Sequence, residues 1–245
     1  MRRSKGDRAL LEGPHLVLEA IAAGLALEAI LVTPDALTAS ADGRRLGALL
    51  AARGTPVDEV SEELLASLGD ADAPRGVLAV ARLPRPGLAA LRTPPSLAVF
   101  VDGLQDPGNL GALARVAEAA EADALVLAPG TVHPNHPRAL RASAGSLLRL
   151  PVATGVTAQE LAGRVPDATW VALVPRDGIP LWSADLTGPL VVTLGAEGPG
   201  LDPEFAARCD QRVTIPLAPA VESLNATVAA ALVLFEIRRR YHPSQ

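Results

Sequence analysis

Between Leu190 and Asn225 the chain collects the makings of a ligand site. Leu190 to Leu194 is a short apolar run rich in β-branched residues, which predicts a buried strand. It runs into Gly195-Ala196-Glu197-Gly198-Pro199-Gly200. Three glycines in that stretch open backbone angles closed to other residues and let a ligand approach the main chain. Val213 to Ile215 predicts a second strand, stopped by Pro216 and Pro219. Glu222-Ser223-Leu224-Asn225 follows, and Ser223 or Asn225 is suited to cap a long apolar helix reaching Glu236. Upstream, Asp106-Pro107-Gly108 is turn chemistry, and Asn109 stands at the start of a helix that carries Arg115. Arg115 is a strong bidentate phosphate binder and a poor base, and no histidine accompanies these residues.

Each of these residues also has a plain structural explanation. Asn109, Ser223 and Asn225 are all suited to capping a helix, and Arg115 could pair with Glu118 three residues on. The glycine loop invites a dinucleotide-binding reading, which fails on order: such a loop follows the first strand of a βαβ unit and precedes an acid by ~20 residues. No Gly-Lys-Ser/Thr phosphate loop is present. A main-chain cradle for an adenosine-bearing cofactor fits better, with Leu194, Ile215 and Leu224 enclosing the base. His15, His133 and His136 have no metal-ligand spacing, and Cys209 is the single cysteine, so neither a disulfide within the chain nor a cysteine zinc site is expected.

The elements that must position these residues follow a βα rhythm. Strands expected near 96, 124, 169, 190 and 213, with helices between, argue for an α/β fold with a mostly parallel sheet covered on both faces. Ahead of it, residues 1–83 read as a small α/β unit. Its elements are a helix from Leu11 to Ala23, a strand at Ala29 to Val32, a helix at Gly43 to Ala52, a short strand at Thr55 to Val60, a helix from Glu62 to Leu68 capped by Ser61, and a strand at Gly76 to Ala81. Residues 84–95 are proline-rich and read as a linker, leaving 96–245 as the second domain. Apolar residues make up 49 % of the 245, enough for a full core, whereas aromatics are only 2 %. No apolar run is long enough to span a membrane and the N-terminus lacks a signal-peptide core, so the cytoplasm is expected.

The net charge of −5 counts against a generic nucleic-acid binder. A focused basic patch would be needed, and its binding would be salt-sensitive. The candidates are Arg2, Arg3, Lys5 and Arg8; Arg138, Arg141 and Arg149; and Arg238 to Arg240, which equally suit a helix C-terminus.

Taken together, the segments Asp106 to Arg115, Gly195-Ala196-Glu197-Gly198, Ile215-Pro216 and Glu222-Ser223-Leu224-Asn225 resemble the three motifs of the SpoU/TrmH branch of the SPOUT methyltransferases. The resemblance implies an enzyme that methylates ribose 2′-hydroxyls of tRNA or rRNA with S-adenosylmethionine. It implies a C-terminal trefoil knot, which no pattern argument would predict, and a homodimer with the cofactor site near the interface. The run from Glu12 to Thr33 resembles the RNA-binding domain that many such enzymes carry, and Arg141 to Gly145 resembles a segment near the RNA. Thr227 stands where members often have Ser, keeping the hydroxyl, and Ala218-Pro219-Ala220 lacks a glycine common in that loop.

On this resemblance Leu194, Gly195, Gly198, Ile215 and Leu224 line the cofactor pocket. Arg115 clamps the target phosphate and orients the 2′-hydroxyl. Asn109 holds the ribose or the loop, Ser223 and Asn225 bond the target nucleotide or shape the loop, and Glu197 accepts backbone N–H groups or pairs with Arg115. The helix Leu224 to Leu234 is apolar nearly all round and calls for burial on more than one side. A non-catalytic RNA-binding or ribosome-assembly protein on the same scaffold is the alternative.

Overall fold

The computed structural model describes residues 7–69, 76–91 and 95–241. They belong to two compact units, Met1–Pro84 with Pro134–Arg149, and Arg85–His133 with Leu150–Gln245. Arg2, Arg3, Lys5 and residues 92–94 of the expected linker lie outside the described residues.

The first unit holds a four-stranded sheet, order β1-β4-β2-β3, built from β1 (Arg8–Glu12), β2 (Leu27–Val32), β3 (Asp58–Glu59) and β4 (Val77–Arg82). β4 pairs antiparallel with both β1 and β2, and β2 pairs parallel with β3. Helices α1 (Pro14–Ala22), α2 (Ala41–Arg53) and α3 (Glu62–Leu68) accompany it. The helix expected from Leu11 begins instead at Pro14, because Gly13 takes φ 89° and Pro14 opens the first turn. Residues 8–12 become an antiparallel strand that a helical reading overlooked. The strand expected at Thr55 to Val60 shrinks to two exposed residues at the sheet edge. Ser61 caps α3 as expected, accepting from the N–H of Leu64.

Residues 134–149 interrupt the second unit in sequence and pack with the first, a division that a linear domain reading does not foresee. They form α5 (Pro137–Ala142) and α6 (Ser146–Arg149). Buried Asn135 donates to the carbonyl of Leu83 at 3.0 Å. Arg141 pairs with the buried carboxylate of Glu12, and Arg149 pairs with Glu19.

The second unit is a seven-stranded sheet, order β7-β6-β5-β10-β8-β11-β9, parallel at every pairing. The strands are β5 (Leu97–Val101), β6 (Ala124–Leu127), β7 (Val152–Thr154), β8 (Thr169–Leu173), β9 (Ile179–Pro180), β10 (Leu190–Leu194) and β11 (Gln211–Thr214). Its α-helices are α4 (Pro107–Ala119), α7 (Ala158–Arg164), α8 (Pro203–Arg208) and α9 (Ala226–Tyr241). Every residue of β5 and β10 is buried, as expected for the centre of a parallel sheet. Phe100, Trp170 and Phe205 meet with ring centroids 5.8–6.1 Å apart. The chain marches outward through β5, β6 and β7, then crosses to the other side and inserts β10 beside β5. The strand order therefore reverses between β5 and β10, where an open α/β sheet forms a ligand crevice at the carboxyl ends of its strands.

Among the described residues no helix is long and apolar enough to cross a membrane.

Candidate active site

Three strands deliver their carboxyl ends to one cavity. Leu173, Val174 and Pro175 arrive from β8, Leu194 to Gly198 with Gly200 from β10, and Val213, Ile215 and Leu217 from β11. Ser223 to Ala226 and Ala229 close it from the start of α9. The cavity holds about 380 Å³. All five residues expected to hold a cofactor, Leu194, Gly195, Gly198, Ile215 and Leu224, line it, and so do Glu197, Ser223 and Asn225.

The glycine loop is a tight turn in which Gly200 N–H donates to Ala196 O at 3.0 Å. A Cβ on Gly195 would fall 2.1 Å from the backbone of Gly200, so no side chain fits there. Gly198 and Gly200 take φ 90° and 74°, in the left-handed region that favours glycine.

Asn225 caps α9: its Oδ1 accepts from the N–H groups of Thr227 at 2.9 Å and Val228 at 3.3 Å. The same carboxamide donates to Asn109 Oδ1 at 3.3 Å. Asn109 Nδ2 then donates to Glu197 Oε1 at 2.6 Å. The Thr227 hydroxyl donates to the backbone carbonyl of Asn109 at 3.1 Å, a tie the sequence reading missed, although it noted that the hydroxyl is kept. Three of the five candidate catalytic side chains thus form one hydrogen-bonded chain, and the helix carrying Asn109 packs on the helix that Asn225 caps.

Two expectations are corrected. Asn109 is not the cap of α4; Asp106 is, accepting from the Asn109 N–H at 2.8 Å, with Pro107 in the first turn. Arg115 pairs with neither Glu197 nor Glu118. It is exposed on α4, lines no part of the cavity, and no described hydrogen bond or ion pair engages it. The second oxygen of Glu197 faces the Gln105 N–H at 3.4 Å.

Several arginines of the basic clusters have acidic or carbonyl partners within the chain. Arg238 meets Glu121 at 2.8 Å, Arg239 and Arg240 share Glu236, and Arg240 also donates to Ala184 O at 2.6 Å. Arg8 pairs with Glu28 at 2.5 Å. Arg8 and Arg239 remain largely exposed in these pairs, whereas Arg238 and Arg240 are mostly covered. Half-buried Cys209 carries a thiol pushed up chiefly by burial, and no described cluster of His, Cys, Asp or Glu is arranged to hold a metal ion.

Comparison with known proteins finds relatives over nearly the whole chain. Residues 96–235 match the SpoU rRNA Methylase family, and residues 1–79 match the MRM3-like substrate binding domain. The chain is 33 % identical to an uncharacterized tRNA/rRNA methyltransferase of Synechocystis, over 97 % of this chain and 86 % of that protein. It is 30 % identical to a 23S rRNA guanosine 2′-O-methyltransferase of Bacillus subtilis, over 96 % of this chain and 90 % of that one. The crystal structure of the SpoU methyltransferase AviRb from Streptomyces viridochromogenes, in complex with AdoMet, superposes with a TM-score of 0.82 at 26 % identity, covering 98 % of this chain and 92 % of that chain.

Proposed function

Because the chain belongs to the SpoU rRNA methylase family, we propose that it methylates a ribose 2′-hydroxyl of rRNA or tRNA, with S-adenosylmethionine held in the cavity at the ends of β8, β10 and β11. The observation that carries this reading is the hydrogen-bonded chain Asn225–Asn109–Glu197, two members of which line that cavity.

The residues suit the cofactor. A cavity of this size lies within the ~300–1,000 Å³ of small-molecule sites. Leu173, Leu194, Ile215 and Leu224 offer an apolar slot for the adenine, and the glycine loop brings backbone groups close enough to bond it. Glu197 and Asn225 add polar side chains to the lining. Bound there, S-adenosylmethionine supplies an electrophilic methyl group. The protein's own task is orientation, since in-line transfer needs the acceptor oxygen fixed and its proton managed.

In this reading Asn109 and Asn225 orient the target nucleotide, Ser223 bonds it, and Glu197 holds Asn109. Arg115 binds the adjacent phosphate, bidentately and without acting as a base. Its guanidinium is exposed on α4, outside its own chain's cavity. The protein works as a homodimer. The face of α9 bearing Val228, Leu232 and Phe235 stays exposed, and a second copy covers it. The chain closing over the cavity forms the trefoil knot of the family, and residues 1–83 bind RNA ahead of the catalytic domain. The site of action is the cytoplasm. This catalytic reading is preferred to a non-catalytic RNA-binding protein, since relatives over nearly the whole chain are methyltransferases.

The test is transfer of tritium from labelled S-adenosylmethionine to RNA, followed by mapping of ribose methylation in total RNA with and without the gene. Arg115→Ala should abolish turnover and leave cofactor affinity nearly intact. A fully active Arg115→Ala enzyme would refute the assignment of that residue.

A further inference from the structure

The contact between Asn109 and Glu197 depends on the turn between β5 and α4 staying in place, and Gln105 lies in that turn with its side chain exposed. Its Nε2 donates to Gly103 O at 2.9 Å and to Gly130 O at 2.7 Å. A primary carboxamide has two N–H donors, and here both are spent on the protein's own backbone. The two acceptors lie on different loops, one following β5 and the other following β6. Both glycines take positive φ, 79° and 86°, a conformation other residues rarely adopt, so each loop calls for glycine at the position that accepts from Gln105. A second tie runs alongside: Gly103 N–H donates to Thr131 Oγ1 at 3.1 Å, and that hydroxyl donates to Val101 O at 3.1 Å.

With the loops joined in this way, the Gln105 N–H faces Glu197 Oε2 at 3.4 Å while Asn109 engages Oε1 at 2.6 Å. Both oxygens of one carboxylate are met from a single turn and the helix it opens. We propose that Gln105 is a positioning residue for methyl transfer: its carboxamide clamps the loops after β5 and β6 together and so holds Asn109 and Glu197 in register over the cofactor cavity. The proposal rests on the function proposed above. A side chain this exposed contributes little packing, so its substitution removes chiefly the pair of hydrogen bonds between the two loops.

Gln105→Ala and Gln105→Met are compared with the wild type as full-length chains, using tritiated S-adenosylmethionine and unfractionated rRNA and tRNA. The expected result is a roughly tenfold fall in kcat for both, with KM for the cofactor within twofold, because a small misplacement of an orienting group costs rate before affinity. Methionine keeps the length and removes the donors, so activity restored by Gln105→Met overturns the proposal. In an Asn109→Ala background the further loss from Gln105→Ala should be under about twofold, since residues acting as one unit are not additive; a full tenfold loss there also overturns it. Hydrogen exchange from Gly103 to Asn109, measured without RNA or cofactor, should quicken about tenfold in both variants as the loop loses its clamp. Unchanged exchange overturns the proposal whatever the activity. An inactive wild type whose variants still show quickened exchange defeats the function and leaves the clamp standing.

Discussion

Asn109 Nδ2 donates to Glu197 Oε1 at 2.6 Å, across 88 positions of sequence. The bond joins the helix after β5 to the loop after β10, the middle strand of the sheet, which lies beside β5. Asn109 also accepts from Asn225, so one carboxamide links all three loops that bear the candidate catalytic side chains. Asn109→Ala leaves Glu197 with only the 3.4 Å contact from Gln105. Turnover should fall about 100-fold, the scale of a misplaced catalytic group, with cofactor affinity changed far less. Asn109→Asp sets a second carboxylate against Glu197 and should be no better. Single-turnover methyl transfer and cofactor titration calorimetry separate the two quantities. Equal losses in rate and cofactor affinity would mean that Asn109 serves the pocket and not the acceptor.

Glycine is demanded to different degrees along the candidate cofactor loop. At Gly195 a Cβ would lie 2.1 Å from the Gly200 backbone, whereas at Gly198 it meets nothing within 4 Å. Gly195→Ala must therefore spread the turn that lines the cavity, and S-adenosylmethionine affinity should drop at least tenfold. Gly198→Ala has only its φ of 90° to contend with, a cost on the order of 1–3 kcal/mol, and should keep measurable binding. Calorimetry on the two variants decides the point; equal affinities would show that the turn is not what shapes the pocket.

Arg141 separates a structural reading from an RNA-contact reading. Its sequence context resembles a segment near the RNA, yet its guanidinium pairs with Glu12, whose side chain is only 4 % exposed. Removing Arg141 takes a cation from this buried carboxylate; complete loss of compensation in a fully buried pair costs about 3–5 kcal/mol, and less is lost here because Arg141 is partly exposed and Glu12 keeps a further partner. Arg141→Ala should lower the melting temperature by roughly 5–10 °C and leave KM for RNA unchanged at permissive temperature. A stable variant with a raised KM would return Arg141 to the RNA surface.

The sequence was most legible where a feature is local. The runs that became β5, β6, β8 and β10 are apolar and bounded by turn residues, and Ser61 and Asn225 cap their helices because a cap needs only the next three residues. The short strands β7 and β9, of three and two residues, carry too little pattern to be read. Asn109 was placed at the helix start but Asp106 won the cap, since Pro107 fixes the first turn after Asp106. Arg238 and Arg149 read as members of candidate patches because their partners, Glu121 and Glu19, are remote in sequence, whereas Glu236, which pairs with Arg239 and Arg240, is one turn away. Glu197 was expected to meet backbone N–H groups or Arg115. Its partners, the Gln105 N–H and the Asn109 carboxamide, depend on which strand lies beside β10, and that is a property of the sheet order alone.

Glu236 gives stability a dependence on pH. The carboxyl is held at about 2, below the usual 4.5, first by the hydrogen bond from Arg239 and then by that from Arg240, against an opposing contribution from burial. A carboxylate with a depressed pKa stabilises the fold above its unfolded value and loses that contribution as pH falls through the folded one. Glu236→Gln should melt roughly 2–4 °C below the wild type at neutral pH, allowing for solvent screening. The gap should hold down to about pH 5 and close between about 4.5 and 2. A gap independent of pH would mean that the side chain's shape, and not its charge, is what the arginines need.

Val228, Leu232 and Phe235 occupy one face of α9 at helical spacing, each between 44 % and 49 % exposed, while Ala230, Val233, Leu234 and Ile237 on the other side are buried. A three-residue apolar stripe beside the candidate catalytic loops is a poor solvent face and a good self-complementary one, because a two-fold axis presents each residue twice. Full burial of such side chains contributes on the order of 1.5–3 kcal/mol apiece, and half that where they start half exposed. Leu232→Glu brings two carboxylates together at such an axis and should yield a monomer by light scattering at micromolar concentration, where the wild type should run as a dimer. Turnover should fall with it, since Arg115 lies outside its own chain's cavity, exposed on the helix that packs against α9. A monomeric variant that retains full activity would leave each chain with a complete site and would require Arg115 to act within its own subunit.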